Sequence, residues 1–138
     1  MSIRIKRIIS VVSIALIFSI ICTFSSIALS GTFGGGNSYT TFLSYSRAST
    51  TTAFAGGYGG TAVVDAEAAY HVPNQPLIVS LGKGRATNTA AAGGVNATVN
   101  LSAENPICTV GYYAKSTHSG TARNSSNTFT YSVNDKLP

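Results

Sequence analysis

The stretch Val95-Asn-Ala-Thr-Val-Asn-Leu-Ser-Ala103 places an apolar side chain at every odd position and a polar one at every even position. Successive strand side chains point to opposite faces, so this period of two predicts a half-buried antiparallel strand. Residues 61–72 form a second alternating run, with Ala62, Val64, Ala66, Ala68, Tyr70 and Val72 on one face and Val63, Asp65, Glu67, Ala69 and His71 on the other. Pro73-Asn-Gln-Pro76 ends that run, since proline removes a ladder donor. Residues 77–87 are expected to return as its hairpin partner, with Leu77 opposite Val72, Val79 opposite Tyr70 and Leu81 opposite Ala68. Unbroken pairing would then bury Lys83 and Arg85. A bulge near Gly82 and Gly84 shifts the register by one residue and moves both cations to the face of Asp65 and Glu67.

The same reasoning assigns the opening strand a partner. A four-residue turn at Glu104-Asn-Pro-Ile107 sets Ala103 against Cys108, Leu101 against Val110, Val99 against Tyr112 and Ala97 against Ala114. A shorter turn would bury Thr109, Gly111 and Lys115, so the hydrophobic pattern selects the longer one. After a turn at Asn124-Ser-Ser-Asn127, residues 128–134 bring Phe129 beside Ala122, Tyr131 beside Gly120 and Val133 beside His118. An aromatic ring over a cross-strand glycine shields backbone there. These three segments are predicted to form a meander. Residues 39–55, rich in Thr, Tyr and Phe, favour strand with a break near residues 47–49. Gly56–Gly60 reads as a turn and residues 88–94 as a connection. Six or seven strands with short loops predict an all-β chain, a small antiparallel β-sandwich preceded by an N-terminal signal helix.

Arg4, Lys6 and Arg7 precede an apolar run from Ile8 to about Cys22, and Ala28-Leu29-Ser30 offers small residues before Gly31. That order predicts a secretory signal over residues 1–30, cleaved before Gly31, with an uncleaved anchor as the competing reading. Residues 31–38 are expected to be a flexible glycine-rich lead-in, 39–134 the β-sandwich domain and 135–138 a tail. Cleavage would leave Cys108 as the last cysteine, without an internal disulfide.

Composition narrows the function classes. Only 9% of the 138 residues are charged, against roughly 25% in an average soluble protein. Hydrophobic content is 44%, which argues against disorder. The net charge of +5 includes the three signal cations. Beyond residue 30, six cations stand against four acids, a net +2. Arg47, Lys83, Arg85, Lys115, Arg123 and Lys136 are scattered along the chain, with no basic stripe of the kind that tracks phosphates, so no nucleic-acid partner is expected.

Candidate chemistry is sparse. Asp65 and His71 lie about 20 Å apart along one strand, too far for one metal ion without a bend. His118 and Ser119 are adjacent strand residues facing opposite ways, and no nucleophile elbow is present. Gly56–Gly60 is followed by neither a helix nor a Lys-Ser/Thr pair, so it is not a phosphate loop. Asn96-Ala-Thr98, Asn100-Leu-Ser102 and Asn124-Ser-Ser126 fit the glycosylation acceptor pattern. No catalytic, cofactor-binding or metal-binding residue is assigned, and no enzyme activity or cofactor is expected.

Tyr112-Tyr113, Lys115 and Thr117-His118-Ser119 with Thr121 resemble the tyrosine and Lys/His/Ser segment of secreted β-sandwich bacteriocins of the lactococcin type. The likeness covers about a tenth of the chain beyond the signal, and the Trp-containing segments of those proteins have no counterpart, since Trp is absent. The resemblance implies a secreted antimicrobial or membrane-active protein as the alternative. The leading expectation is a secreted, non-enzymatic structural or adhesive protein, a matrix, fibre or envelope subunit. Its partners would be further copies of itself or a cell-surface protein, with membrane contact only through the signal segment.

Overall fold

A computed structural model describes residues 26–72, 74–101 and 111–137. The apolar run through Cys22 expected to be a signal, the turn expected at residues 104–107 and Cys108 lie outside the described residues. Eight strands follow one another: β1 (Ser26–Phe33), β2 (Asn37–Ser44), β3 (Arg47–Ala53), β4 (Gly59–His71), β5 (Ile78–Ala90), β6 (Gly94–Asn100), β7 (Tyr112–Arg123) and β8 (Thr128–Leu137). They make two antiparallel four-stranded sheets, sheet A in the order β1-β2-β3-β6 and sheet B in the order β5-β4-β7-β8.

The inner faces share one core. Sheet A supplies Leu43, Ala48, Val95, Ala97 and Val99, with Leu101 just beyond β6, and sheet B supplies Ala62, Val64, Ala66, Ala68, Ala114 and Leu137. Half of these twelve are alanine, so apolar burial per residue is modest. Polar and aromatic groups supplement it. The Tyr131 hydroxyl lies 2.8 Å from Thr52 Oγ1 and 3.0 Å from Thr50 Oγ1, joining β8 to β3 across the core. Its ring stacks on Tyr39 of β2 at 4.4 Å. Each of these tyrosines covers a glycine of its neighbouring strand, Tyr131 over Gly120 and Tyr39 over Gly31.

Several expected pairings are present. Phe129 faces Ala122, Tyr131 faces Gly120 and Val133 faces His118. Val79 pairs with Tyr70, and the Val72 N–H donates to Leu77 O at 3.0 Å. The register then shifts between Ala68 and Ala69, which pair with Gly82 and Ser80. Leu81 is therefore the extra residue, one position before the glycines expected to carry the bulge. Its consequence is the expected one, because Lys83 lies opposite Glu67 and Arg85 opposite Asp65.

Other expectations are corrected. The strand at residues 94–100 pairs with β3, with Ala48 opposite Val99 and Thr50 opposite Ala97. Its assigned partner β7 lies in the other sheet, between β4 and β8. Alternation decides which face is buried, and any strand with a matching apolar face satisfies it equally. The inward residues are accordingly as expected, with Val95, Ala97, Val99, Leu101 and Ala114 all buried. The strand break falls at Tyr45 and Ser46, just ahead of Arg47.

Residues 31–38, expected as a flexible lead-in, form the end of β1, a glycine turn and the start of β2. Asn37 pins this turn. It is fully buried, donating from Nδ2 to Gly34 O at 2.6 Å and accepting the Ala55 N–H at 3.0 Å. Gly35 and Gly36 supply the positive φ values, 76° and 78°, that the reversal needs. β1 begins at Ser26, so a cut before Gly31 would divide it. The expected tail is instead strand through Leu137, because Asp135 and Leu137 both point inward and are 4% and 1% exposed.

Candidate functional site, a charged groove on the outer face of sheet B

Outward residues of sheet B stand in rows across its four strands. One row runs Arg85, Asp65, Thr117, Asn134 and the next runs Lys83, Glu67, Lys115, Lys136. The intervening row, Gly84, Ala66, Ser116 and Asp135, turns its side chains inward and presents backbone outward. These twelve residues line a groove of about 710 Å³ that crosses the sheet. The cations thought scattered are therefore gathered. Four of the six beyond residue 30 line this one groove; Asp65 and Glu67 stand among them in its walls, and a third acid, Asp135, lies in the inward-turned row.

Two ion pairs organise the walls. Arg85 Nη1 lies 3.4 Å from Asp65 Oδ2, and Lys115 Nζ lies 3.2 Å from Glu67 Oε2. Both are exposed, so they contribute little to stability. Thr117 Oγ1 donates to Asn134 Oδ1 at 2.8 Å, which orients the amide.

Beneath the floor lies a buried polar cluster that sequence reasoning missed. Asp135 Oδ2 accepts from Thr41 Oγ1 of β2 at 2.9 Å, a bond between the two sheets. His118 Nε2 lies 2.7 Å from Ser116 Oγ and 3.3 Å from Asp135 Oδ2. His118 is completely buried, and its Nδ1 has no hydrogen-bond partner among the described residues. A relay of the serine-hydrolase kind needs acid and hydroxyl on different ring nitrogens. Here both share Nε2, inside the core, so the cluster acts as an anchor for the groove floor. The clue in sequence was spacing: Ser116 and His118 share a face with Ala114 and Ala122. Asp135 falls in the residues expected to be tail, an expectation that assigns it no face.

Burial holds the His118 pKa below its ordinary 6.5, while the Asp135 carboxylate pulls it upward. A folded-state pKa below the unfolded one means that the unfolded chain binds more protons as pH falls through about 6.5. Stability from this group is complete above that pH and declines as pH drops toward the folded-state value. Urea midpoints measured from pH 8 to pH 5 should show this decline, and His118→Gln should remove the part that begins near neutrality. An unchanged slope in the variant would assign the decline elsewhere.

The remaining expected positions are plainly placed. Asp65 and Glu67 are in the groove wall, and His71 is exposed at the end of β4. His118 points inward and Ser119 outward. Among the described residues no group of three His, Cys, Asp or Glu side chains converges on a cation position. None of the helical residues described is part of a helix long and apolar enough to cross a membrane. No protein-family model, curated protein or solved structure matches the chain.

Proposed function

We propose that this chain is a secreted, non-enzymatic β-sandwich protein, a structural or adhesive subunit that works through the outer face of sheet B. The order of basic residues, apolar run and small residues at the N-terminus supports export. One observation carries the adhesive reading. Of the nine charged residues among those described (Arg47, Asp65, Glu67, Lys83, Arg85, Lys115, Arg123, Asp135, Lys136), six form the walls of one groove. The outer face of sheet A is instead mostly Ser, Thr and Asn, with Phe42 beneath Arg47, its one charge among the described residues. A chain this poor in charge that concentrates it on one face has the asymmetry of a recognition surface.

The alternative, a membrane-active antimicrobial protein, is favoured by a different feature. Leu77, Ile78 and Val79 are consecutive, exposed and next to the paired rings of Tyr70 and Tyr112. A single comparison separates the two. Purified protein is co-sedimented with intact cells while dye release from anionic vesicles is followed in parallel. The adhesive reading expects retention on cells, a several-fold loss in a Lys83→Gln, Lys115→Gln, Lys136→Gln variant, no change in Arg47→Gln and no dye release. Retention that survives neutralisation of the three lysines would remove the groove from the account, and dye release would favour the alternative.

A further inference from the structure

We infer that the groove binds an acidic polysaccharide strand, with its anionic groups held at the lysine row. This rests on the outer face of sheet B being the working surface. Lys115 and Lys136 are directly opposite across β7 and β8, a placement in which like charges repel. Glu67 engages Lys115 on its other side, and among the described residues neither Lys136 nor Lys83 has an ion pair. A carboxylate seated between Lys115 and Lys136 turns that repulsion into two charge-assisted contacts. Asn134 sits in the neighbouring row of β8. Its Oδ1 is committed to Thr117, which leaves Nδ2 to donate to the same ligand.

The rest of the groove selects the polymer. Asp65 and Glu67 stand mid-groove, where carboxylates accept from hydroxyls and repel a continuous run of negative charge. Lysines at the two ends, Lys83 on β5 and Lys136 on β8, are three strand spacings apart, or about 14 Å. A hydroxyl-rich chain with intermittent charge fits this order of cation, acid, cation, cation. The floor is backbone and small side chains, including Gly84 and Ala66, so a broad sugar ring meets no obstruction. Gly84 itself leaves room on the inner side for Val99, whose Cγ1 would lie 2.9 Å from an added Cβ.

Two other polyanions fit worse. None of the groove-lining residues is aromatic, so single-stranded nucleic acid lacks a stacking platform. The wall charge of four cations and two acids offers little counterion release on a duplex. The exposed large apolar residues lie beyond the groove, Leu77, Ile78 and Val79 around the start of β5 and Leu29 in β1, so a lipid surface gains nothing in the groove.

Affinity electrophoresis through hyaluronate, which carries a carboxylate on alternate sugars, neutral dextran or duplex DNA tests the assignment. Hyaluronate should retard the purified protein, with retardation fading as salt is raised, while dextran leaves it unshifted. Combining Lys83→Gln with Lys136→Gln should weaken hyaluronate binding about tenfold, and Arg47→Gln should bind like wild type. Near-UV circular dichroism confirms that both variants keep the native packing. Equal retardation of the lysine variant and wild type, or DNA binding as tight as hyaluronate binding, overturns the proposal. Absence of hyaluronate binding by a protein whose lysine variant has lost cell retention rejects the polysaccharide and spares the outer face. Unchanged cell retention rejects the outer face itself.

Discussion

Asp135→Ala should lower the free energy of unfolding by about 3 kcal/mol, because it removes a buried acceptor and strands the groups that face it. Thr41 Oγ1 loses the carboxylate oxygen 2.9 Å away, and His118 loses its one charged neighbour. Two controls apportion the effect. Thr41→Val deletes the donor while keeping the shape, and should cost about 1 kcal/mol, the usual net worth of one hydrogen bond. Asp135→Asn can set its amide oxygen at the Oδ2 position, which Thr41 Oγ1 and His118 Nε2 both face, so it keeps the shared acceptor and removes the charge. Its cost should lie between the other two. Urea unfolding followed by circular dichroism gives all three values, and the double variant gives the Thr41–Asp135 coupling. A loss under about 1 kcal/mol for Asp135→Ala would mean that the core tolerates an empty site there, contrary to the cost of an orphaned buried group.

Gly120→Val should be at least as damaging, about 3 kcal/mol or more, by overpacking. A Cβ on Gly120 would lie 2.5 Å from Thr61 O, 2.6 Å from Tyr131 Cε1 and 2.9 Å from Thr52 Oγ1. The first is backbone of the adjacent strand and cannot swing away. The second is the ring that carries the hydroxyl bonds to Thr50 and Thr52, so displacing it also unties sheet B from sheet A. Tyr131→Phe separates the two contributions, since it keeps the ring over the glycine and removes only the hydroxyl. It should cost about 1–2 kcal/mol. A Gly120→Val protein that unfolds at the wild-type midpoint would show that the ring and the strand can part without loss.

Both predictions concern contacts between residues far apart in sequence, and this is where reading the chain alone loses purchase. Within a strand, the period of two is enforced by backbone geometry, so Ala62, Val64, Ala66 and Ala68 declare their common face locally. The displacement of Lys83 and Arg85 was equally legible, because burying two cations opposite Ala66 and Val64 is costly enough to demand a bulge. The glycine-covering role of Tyr131 came from the short turn at residues 124–127, where Asn124 Oδ1 accepts the N–H groups of Ser126 and Asn127 and fixes the hairpin.

Partner choice is different. Val95, Ala97 and Val99 present the same inward face to β3 as they would to β7, and the local pattern holds no term that separates the two. The crossing from sheet A to sheet B after Leu101 was therefore invisible. The same holds for the groove. Lys83, Lys115 and Lys136 occupy three strands, and only the order β5-β4-β7-β8 sets them in one row around Glu67.

By itself, then, the sequence determined an all-β chain, the inward set of most strands, the bulged hairpin of β4 and β5 and the β7–β8 hairpin. Each of these follows from local periodicity or a short turn. Tertiary structure alone decided that β6 joins β3, that Asp135 is core and that the dispersed cations share a groove. Those outcomes depend on which strands become neighbours. That choice is made by packing two complete sheets against each other, a property of the whole chain that no single segment encodes.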